Sequence, residues 1–188
     1  MMVTMMVMNF TKMIMWNQMT FEEIVNTAPL LIQDKLKELK DLRERPDYHP
    51  EPNTFEHIRI VTERLMQTGD IDLIVAGVMH DICKKDCMQI NPKTGYPTSP
   101  GHDKAAAKLV GNPLVMGWII SLGANPQMVS DLCEQHMRFH QFGNMKESKQ
   151  RAFREMPCWD KLVFLGAADN MLEEFDVNDV SKSWKWNK

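Results

Sequence analysis

Apolar residues recur at helical spacing along most of this chain. After Pro29, apolar positions fall three or four residues apart with lysines and acids between them: Leu31, Ile32, Leu36, Leu39 and Leu42. This pattern predicts an amphipathic helix with one face on a core. Thr20, followed three residues later by Glu23, forms a capping box that predicts the start of an earlier helix.

Further helices are predicted from their end signals. One covers about 53–67 before Gly69, a second begins at Asp70 and ends near 81, and a third begins at His102. Asn125 caps a fourth, and a fifth begins at Pro157 with Asp169 in its middle. Prolines and glycines between 86 and 101 predict a loop, and no alternating pattern predicts a strand. The sequence therefore predicts an all-α fold, a single bundle of about six or seven helices.

Composition and charge restrict the function classes. With 188 residues, of which 44% are hydrophobic and 25% charged, the chain fits one domain with an adequate core. The net charge of −3 excludes a general basic field for nucleic acid. Four cysteines without a CxxC pair predict reduced thiols, and no apolar run reaches the length of a membrane helix. We expect a cytoplasmic protein that does not enter a membrane, with a Met-rich, loosely ordered extension over 1–19, the domain over 20–176 and a tail over 177–188.

A series of histidines and aspartates suggests a metal site. Apart from the adjacent pair His80-Asp81, successive members are far enough apart to lie on different helices: His57, His80, Asp81, His102, His136 and Asp169. Imidazole nitrogens with carboxylate oxygens suit divalent metals such as Mn, Fe, Co, Ni or Zn. Because Asp81 can bridge two ions, His102 and His136 are candidate ligands of a second one. Lys84, one turn after Asp81, can meet a phosphate oxygen that enters the site.

These residues resemble the HD superfamily of metal-dependent phosphohydrolases. The order of His57, His80-Asp81 and Asp169 matches its His…His-Asp…Asp motif, and His80-Asp81-Ile82-Cys83-Lys84 is similar to its HDIGK variant with cysteine for glycine. Over about 45–175 the chain is most similar to the HD domain of bacterial CCA-adding tRNA nucleotidyltransferases. That likeness rests on a turn that includes Tyr48-His49-Pro50-Glu51 and on the later segments Gly101-His102-Asp103 and Glu134-Gln135-His136. Proline replaces the expected glycine at 52, and the nucleotidyltransferase head is missing, so CCA addition is not expected.

The resemblance implies a metal-dependent phosphohydrolase. Its substrate would be a small phosphorylated compound, such as a nucleotide, a 2′,3′-cyclic phosphate or an RNA end, and its cofactor one or two divalent ions (Mn, Fe, Co, Ni, Zn or Mg). Asp81, Lys84 and His102 are the predicted catalytic residues. An HD-fold diiron oxygenase has the same ligand order, and a non-catalytic nucleotide-binding module is a third hypothesis.

Several assignments stay open at this point. His140 lies one helical turn from His136 and competes with it as a ligand, although the resemblance favours His136. His49 is interpreted as a loop-packing residue, and nearby charged residues are interpreted as surface groups: Glu51, Lys85, Asp103, Lys104 and Arg138. Metal identity, metal number and oligomeric state are not determined.

Overall fold

The computed structural model describes residues 19–43, 45, 49–171 and 173–180. Within these residues the chain forms nine α-helices, two short 3-10 turns and one small antiparallel sheet. The helices are α1 (Phe21–Thr27), α2 (Leu30–Glu38), α3 (Thr54–Met66), α4 (Ile71–Met79), α5 (His102–Val110), α6 (Pro113–Ser121), α7 (Pro126–His140), α8 (Glu147–Arg154) and α9 (Trp159–Asp169). The predicted all-α fold is confirmed.

Capping side chains explain five of the nine helix starts in the described residues. Thr20 and Glu23 form the predicted capping box of α1. Asn53 accepts a hydrogen bond from the Glu56 backbone N–H at the start of α3, and Asp70 does the same for the first turn of α4. Each such cap satisfies a backbone N–H that has no partner within its helix.

The core has two clusters of buried apolar residues that meet at α4. The first joins α1, α2, α5 and α6 to one side of α4, and the second joins α7, α8 and α9 to α3 and the other side of α4. Every residue of α4 from Leu73 to Met79 is buried. The chain therefore leaves its most enclosed helix at His80, which places the following aspartate in the interior.

Three local predictions were wrong. The segment 86–101 is not only a loop, because Gln89–Ile90 pairs with Pro97–Thr98 around a turn that contains Gly95 at φ 72°. The last helix begins at Trp159 and ends at Asp169, so this aspartate lies at a helix end and not in its middle. Helices α6 and α8 were not predicted, and they raise the number above the expected six or seven.

Other sequence predictions fall partly outside the described residues. The Met-rich residues 1–18 and the tail residues 181–188 belong to this group, and the domain boundaries stay predictions. None of the described helices is long and apolar enough to cross a membrane.

Candidate metal centre

Five helices bring the six predicted ligands together. His57 lies in the first turn of α3, and His80 and Asp81 follow the end of α4. Gly101, at φ 81°, turns the chain so that His102 is the first residue of α5. His136 lies on α7, and Asp169 ends α9. All six side chains are buried.

Four donor atoms form a first group. His57 Nε2 lies 3.4 Å from His80 Nε2, 3.4 Å from Asp81 Oδ2 and 2.8 Å from Asp169 Oδ1. His80 Nε2 lies 3.3 Å from Asp81 Oδ2 and 3.8 Å from Asp169 Oδ1. Neighbouring ligands about 2.1 Å from one metal are about 3.0 Å apart in an octahedron and about 3.4 Å apart in a tetrahedron. The separations fit an ion held by His57, His80 and Asp81, with Asp169 close to both histidines.

The second oxygen of Asp81 belongs to a second group. Asp81 Oδ1 lies 3.0 Å from His102 Nε2 and 3.6 Å from His136 Nε2. The two imidazole nitrogens are 3.2 Å apart. One carboxylate therefore faces both groups with different oxygens, as a bridging ligand does in a site for two metals.

The hydrogen bonds of the outer nitrogen, Nδ1, explain why the inner nitrogen, Nε2, is available to bind a cation. Nδ1 donates to a backbone carbonyl in three cases: His80 to Gly77 at 2.8 Å, His102 to Ser99 at 2.6 Å, and His136 to Cys133 at 2.6 Å. A carbonyl only accepts hydrogen bonds, so Nδ1 carries the proton and Nε2 can offer its lone pair to a cation. Each partner lies three residues before its histidine, so the local backbone sets the ring orientation.

His57 has a different partner, which the sequence analysis assigned to the surface. Its Nδ1 lies 2.8 Å from Glu51 Oε1, and the Glu51 side chain is only 4% exposed. The interpretation of Glu51 as a surface charge was wrong. A carboxylate on the outer nitrogen of a histidine ligand orients the ring and raises its basicity. The only available signal was its position six residues before His57 in the His-Pro-Glu turn.

The two aspartates make the centre strongly attractive to positive charge. Burial alone would raise the pKa of Asp81, but the charges of Lys84 and His80 hold it well below its usual range. Burial also opposes a low pKa at Asp169, but its interaction with His140 and its hydrogen bonds hold that pKa well below normal. The site can therefore hold positive charge in its interior, as protons or as a metal ion.

Burial and interactions with the aspartates also have opposite effects on the pKa values of the histidines. Burial would lower the pKa of His57 and of His80. Hydrogen bonds to Asp169 and Glu51 raise that of His57 to about 9, and the charge of Asp81 with hydrogen bonds to both aspartates raises that of His80 to about 10. Burial lowers the pKa of His136, despite its hydrogen bond to Asp81. A metal that enters the first group must displace protons, whereas the lowered pKa of His136 favours its neutral form.

Lys84 lies directly beside the bridging carboxylate. Its Nζ is 2.8 Å from Asp81 Oδ2, and the residue is 7% exposed. Lys84 is therefore a buried lysine and not a solvated surface charge. A buried ammonium at this position can neutralise Asp81 and can also face an anion that approaches the metal.

His136 and His140 occupy different positions. His136 Nε2 faces the second group, whereas His140 Nε2 lies 2.7 Å from Asp169 Oδ2 and its side chain is 28% exposed. His140 therefore orients Asp169 from the solvent side. His49 stacks edge-on against His57, with ring centroids 4.9 Å apart, and its side chain is 24% exposed. These two histidines border the site where it is most accessible.

Arg64 holds the end of the helix that carries Asp169. Its guanidinium donates to the carbonyl oxygens of Ala168 at 2.9 Å, Asn170 at 3.0 Å and Glu173 at 3.3 Å. These carbonyls surround the C-terminus of α9, where no further helix residues can pair with them. Helix α3 thus supplies both a candidate ligand, His57, and the residue that fixes a second one.

No protein-family model matches this chain, and no curated protein matches its sequence. The helical fold and the buried histidine–aspartate cluster, which can hold a metal ion, are compatible with an HD-like domain.

Proposed function

We propose that this protein is a metal-dependent phosphohydrolase that acts on a nucleotide, a 2′,3′-cyclic phosphate or a related phosphoester. The main support is the arrangement around Asp81, whose two oxygens face two groups of donors while Lys84 lies on the same carboxylate. With divalent ions bound, the centre and the buried ammonium beside it would suit a substrate that carries a phosphoryl group.

Different residues of the centre would hold the metal ions, stabilise the phosphoryl group and orient the attacking water. His57, His80, Asp81 and Asp169 would hold one ion, and Asp81, His102 and His136 a second. A bound divalent metal would supply Lewis acidity and lower the pKa of a coordinated water. Lys84 would donate to a phosphoryl oxygen and stabilise the charge that develops there. Asp169, fixed by His140 and by the helix end that Arg64 caps, would accept a hydrogen bond from the attacking water.

The exposure of the histidines indicates that a substrate would approach the site from one side. His49 and His140 are the partly exposed histidines at its border, whereas His57, His80, His102 and His136 are buried. Both nitrogens of His102 are engaged, with Ser99 on one side and Asp81 on the other. This favours a ligand role for His102 and leaves protonation of the leaving group to solvent that enters past His140.

The test is a screen of phosphoesters with defined metals. The full chain, freed of metal by a chelator and reloaded with Mn, Co, Ni or Mg, is assayed anaerobically for released phosphate with nucleoside monophosphates and for ring opening with 2′,3′-cyclic nucleotides. We expect metal-dependent turnover without dioxygen, and Asp81→Ala should abolish it. Asp34→Ala, which removes an exposed carboxylate of α2, is the matched control and should leave turnover unchanged.

Two results would contradict the proposal. A metal-loaded protein that hydrolyses none of these phosphoesters would contradict it directly. Turnover that requires dioxygen would instead support the diiron oxygenase with the same ligand order.

Lys84→Ala separates metal binding from chemistry, because the variant should keep the metal and lose about 10–100-fold in kcat/KM.

A further inference from the structure

An open, apolar groove lies on the first core cluster, away from α9. It lies between the α1–α2 junction and α6, and it has a volume of about 610 Å³. Thr27, Pro29 and Leu31 line one side, and Leu114, Gly117 and Trp118 line the other. None of these residues belongs to the candidate metal centre.

Helix α6 lacks the polar face that an exposed helix normally has. Its sequence, Pro113–Ser121, carries no charged side chain. Val115, Trp118 and Ile119 are buried, but Leu114 is 69% and Ile120 58% exposed. Across the groove Leu30 is 71% exposed. A helix that is apolar on all sides is usually covered on all sides, so this face is suited to an apolar occupant.

The floor of the groove is fixed and leaves space for side chains. The indole Nε1 of Trp118 donates to Thr27 Oγ1 at 3.0 Å, which ties α6 to the end of α1. A Cβ added at Gly117 would meet no atom of the described residues within 4 Å. The groove is therefore a preformed concave surface and does not depend on a side chain that must move away.

We propose that residues 1–18 of this chain cover the groove. Twelve of these eighteen residues are apolar and Lys12 is the only charged one. Burial of the segment against an apolar surface is therefore favoured by the hydrophobic effect. It contains seven methionines, whose flexible side chains adapt to irregular apolar surfaces. The groove is correspondingly apolar on both sides, and Gly117 leaves its centre free.

The attachment point places the segment within reach. It joins the described chain at Met19, which packs on the first core cluster, and α1 then covers the distance of about 10 Å to Thr27. The other chain end is unsuitable. Residues 181–188 contain three lysines and follow helix α9, which packs in the second core cluster.

Trypsin provides the test, because Lys12 is the only site for it before Lys35. Loss of residues 1–12 from the full chain is followed by intact-mass spectrometry. We expect Gly117→Trp, which fills the groove, to be cut at Lys12 at least about tenfold faster than the unmodified protein. Gly117→Ala, which adds only one methyl group and leaves most of the groove unfilled, is the matched control and should be cut at close to the unmodified rate.

Equal cleavage rates for Gly117→Trp and the unmodified protein would overturn the proposal. A photo-crosslinking amino acid at Leu114 of the full chain tests the same contact without filling the groove, should Gly117→Trp fail to fold. A crosslink within one chain to a peptide from residues 1–18 supports the proposal. Crosslinks between two chains, or none to this segment, overturn it, and the former would identify a second copy as the occupant.

Discussion

Gly166 on α9 should not accept a side chain, and the substitution Gly166→Ala tests how the site is positioned. A Cβ at this position would lie far inside the 3.4 Å at which ordinary contact begins, against ring carbons of Phe139. Phe139 is fully buried and packs on Trp159, with ring centroids 5.6 Å apart, so its ring cannot turn away freely. Helix α9 must therefore move away from α7, and Asp169 lies one turn after the collision.

The expected free energy follows from two opposing effects. Alanine improves on glycine within a helix by about 1 kcal/mol. Forcing an extra carbon into a packed core costs about 1–3 kcal/mol, and the fixed direction of a Cβ puts this case at the upper end. We expect Gly166→Ala to lower the free energy of unfolding by about 2 kcal/mol, which for a chain of this size corresponds to about 4–8 °C in Tm.

Gly117→Ala is the matched control, because it is the same substitution on a helix where the new Cβ would meet no atom of the described residues within 4 Å. It should raise the stability by about 0.5–1 kcal/mol. Thermal unfolding by circular dichroism measures both variants, and titration with Co²⁺ or Mn²⁺ measures the site. Only Gly166→Ala should weaken metal binding, since only it displaces Asp169. Equal stability and equal metal affinity of the two variants would refute the role assigned to the contact between α7 and α9.

Three further predictions address the centre and its support. Glu51→Gln should weaken metal binding by about 10-fold and Glu51→Ala by up to about 100-fold, measured by competition with a chelator, because the charge behind His57 is lost; unchanged affinity would make Glu51 a packing residue only. Arg64→Met should lower the free energy of unfolding by about 1–3 kcal/mol in denaturant titrations, because the carbonyls at the end of α9 lose their donor; no loss would contradict this. Because the pKa values of His57 and His80 are raised to about 9 and about 10, the metal-free site holds protons at pH 7. Metal binding should then release protons and strengthen as the pH rises towards 9, measured by calorimetry in buffers of different ionisation enthalpy; affinity independent of pH would contradict it.

The sequence determined the fold class and the starts of most of the helices that carry the centre. Caps such as Asn53, Asp70 and Asn125 act within one turn of chain, so their effect is visible in a short stretch of sequence. The pairing of Gln89–Ile90 with Pro97–Thr98 was missed because such short strands leave no alternating pattern. Helix α6 was missed because it is apolar on all sides and shows no helical period.

The candidate site, like the fold, could be predicted from the sequence only in part. The order of histidines and aspartates along the chain is a sequence property, and it was sufficient to name the six residues that the structure brings together. Their grouping is not, because separations of 2.8–3.8 Å between side chains on five helices depend on how those helices pack. The position of His140 on Asp169 and the burial of Glu51 behind His57 depend on that packing as well. Local signals act along the chain and can be read from it, whereas a metal centre is made by contacts between distant segments that only the tertiary structure sets.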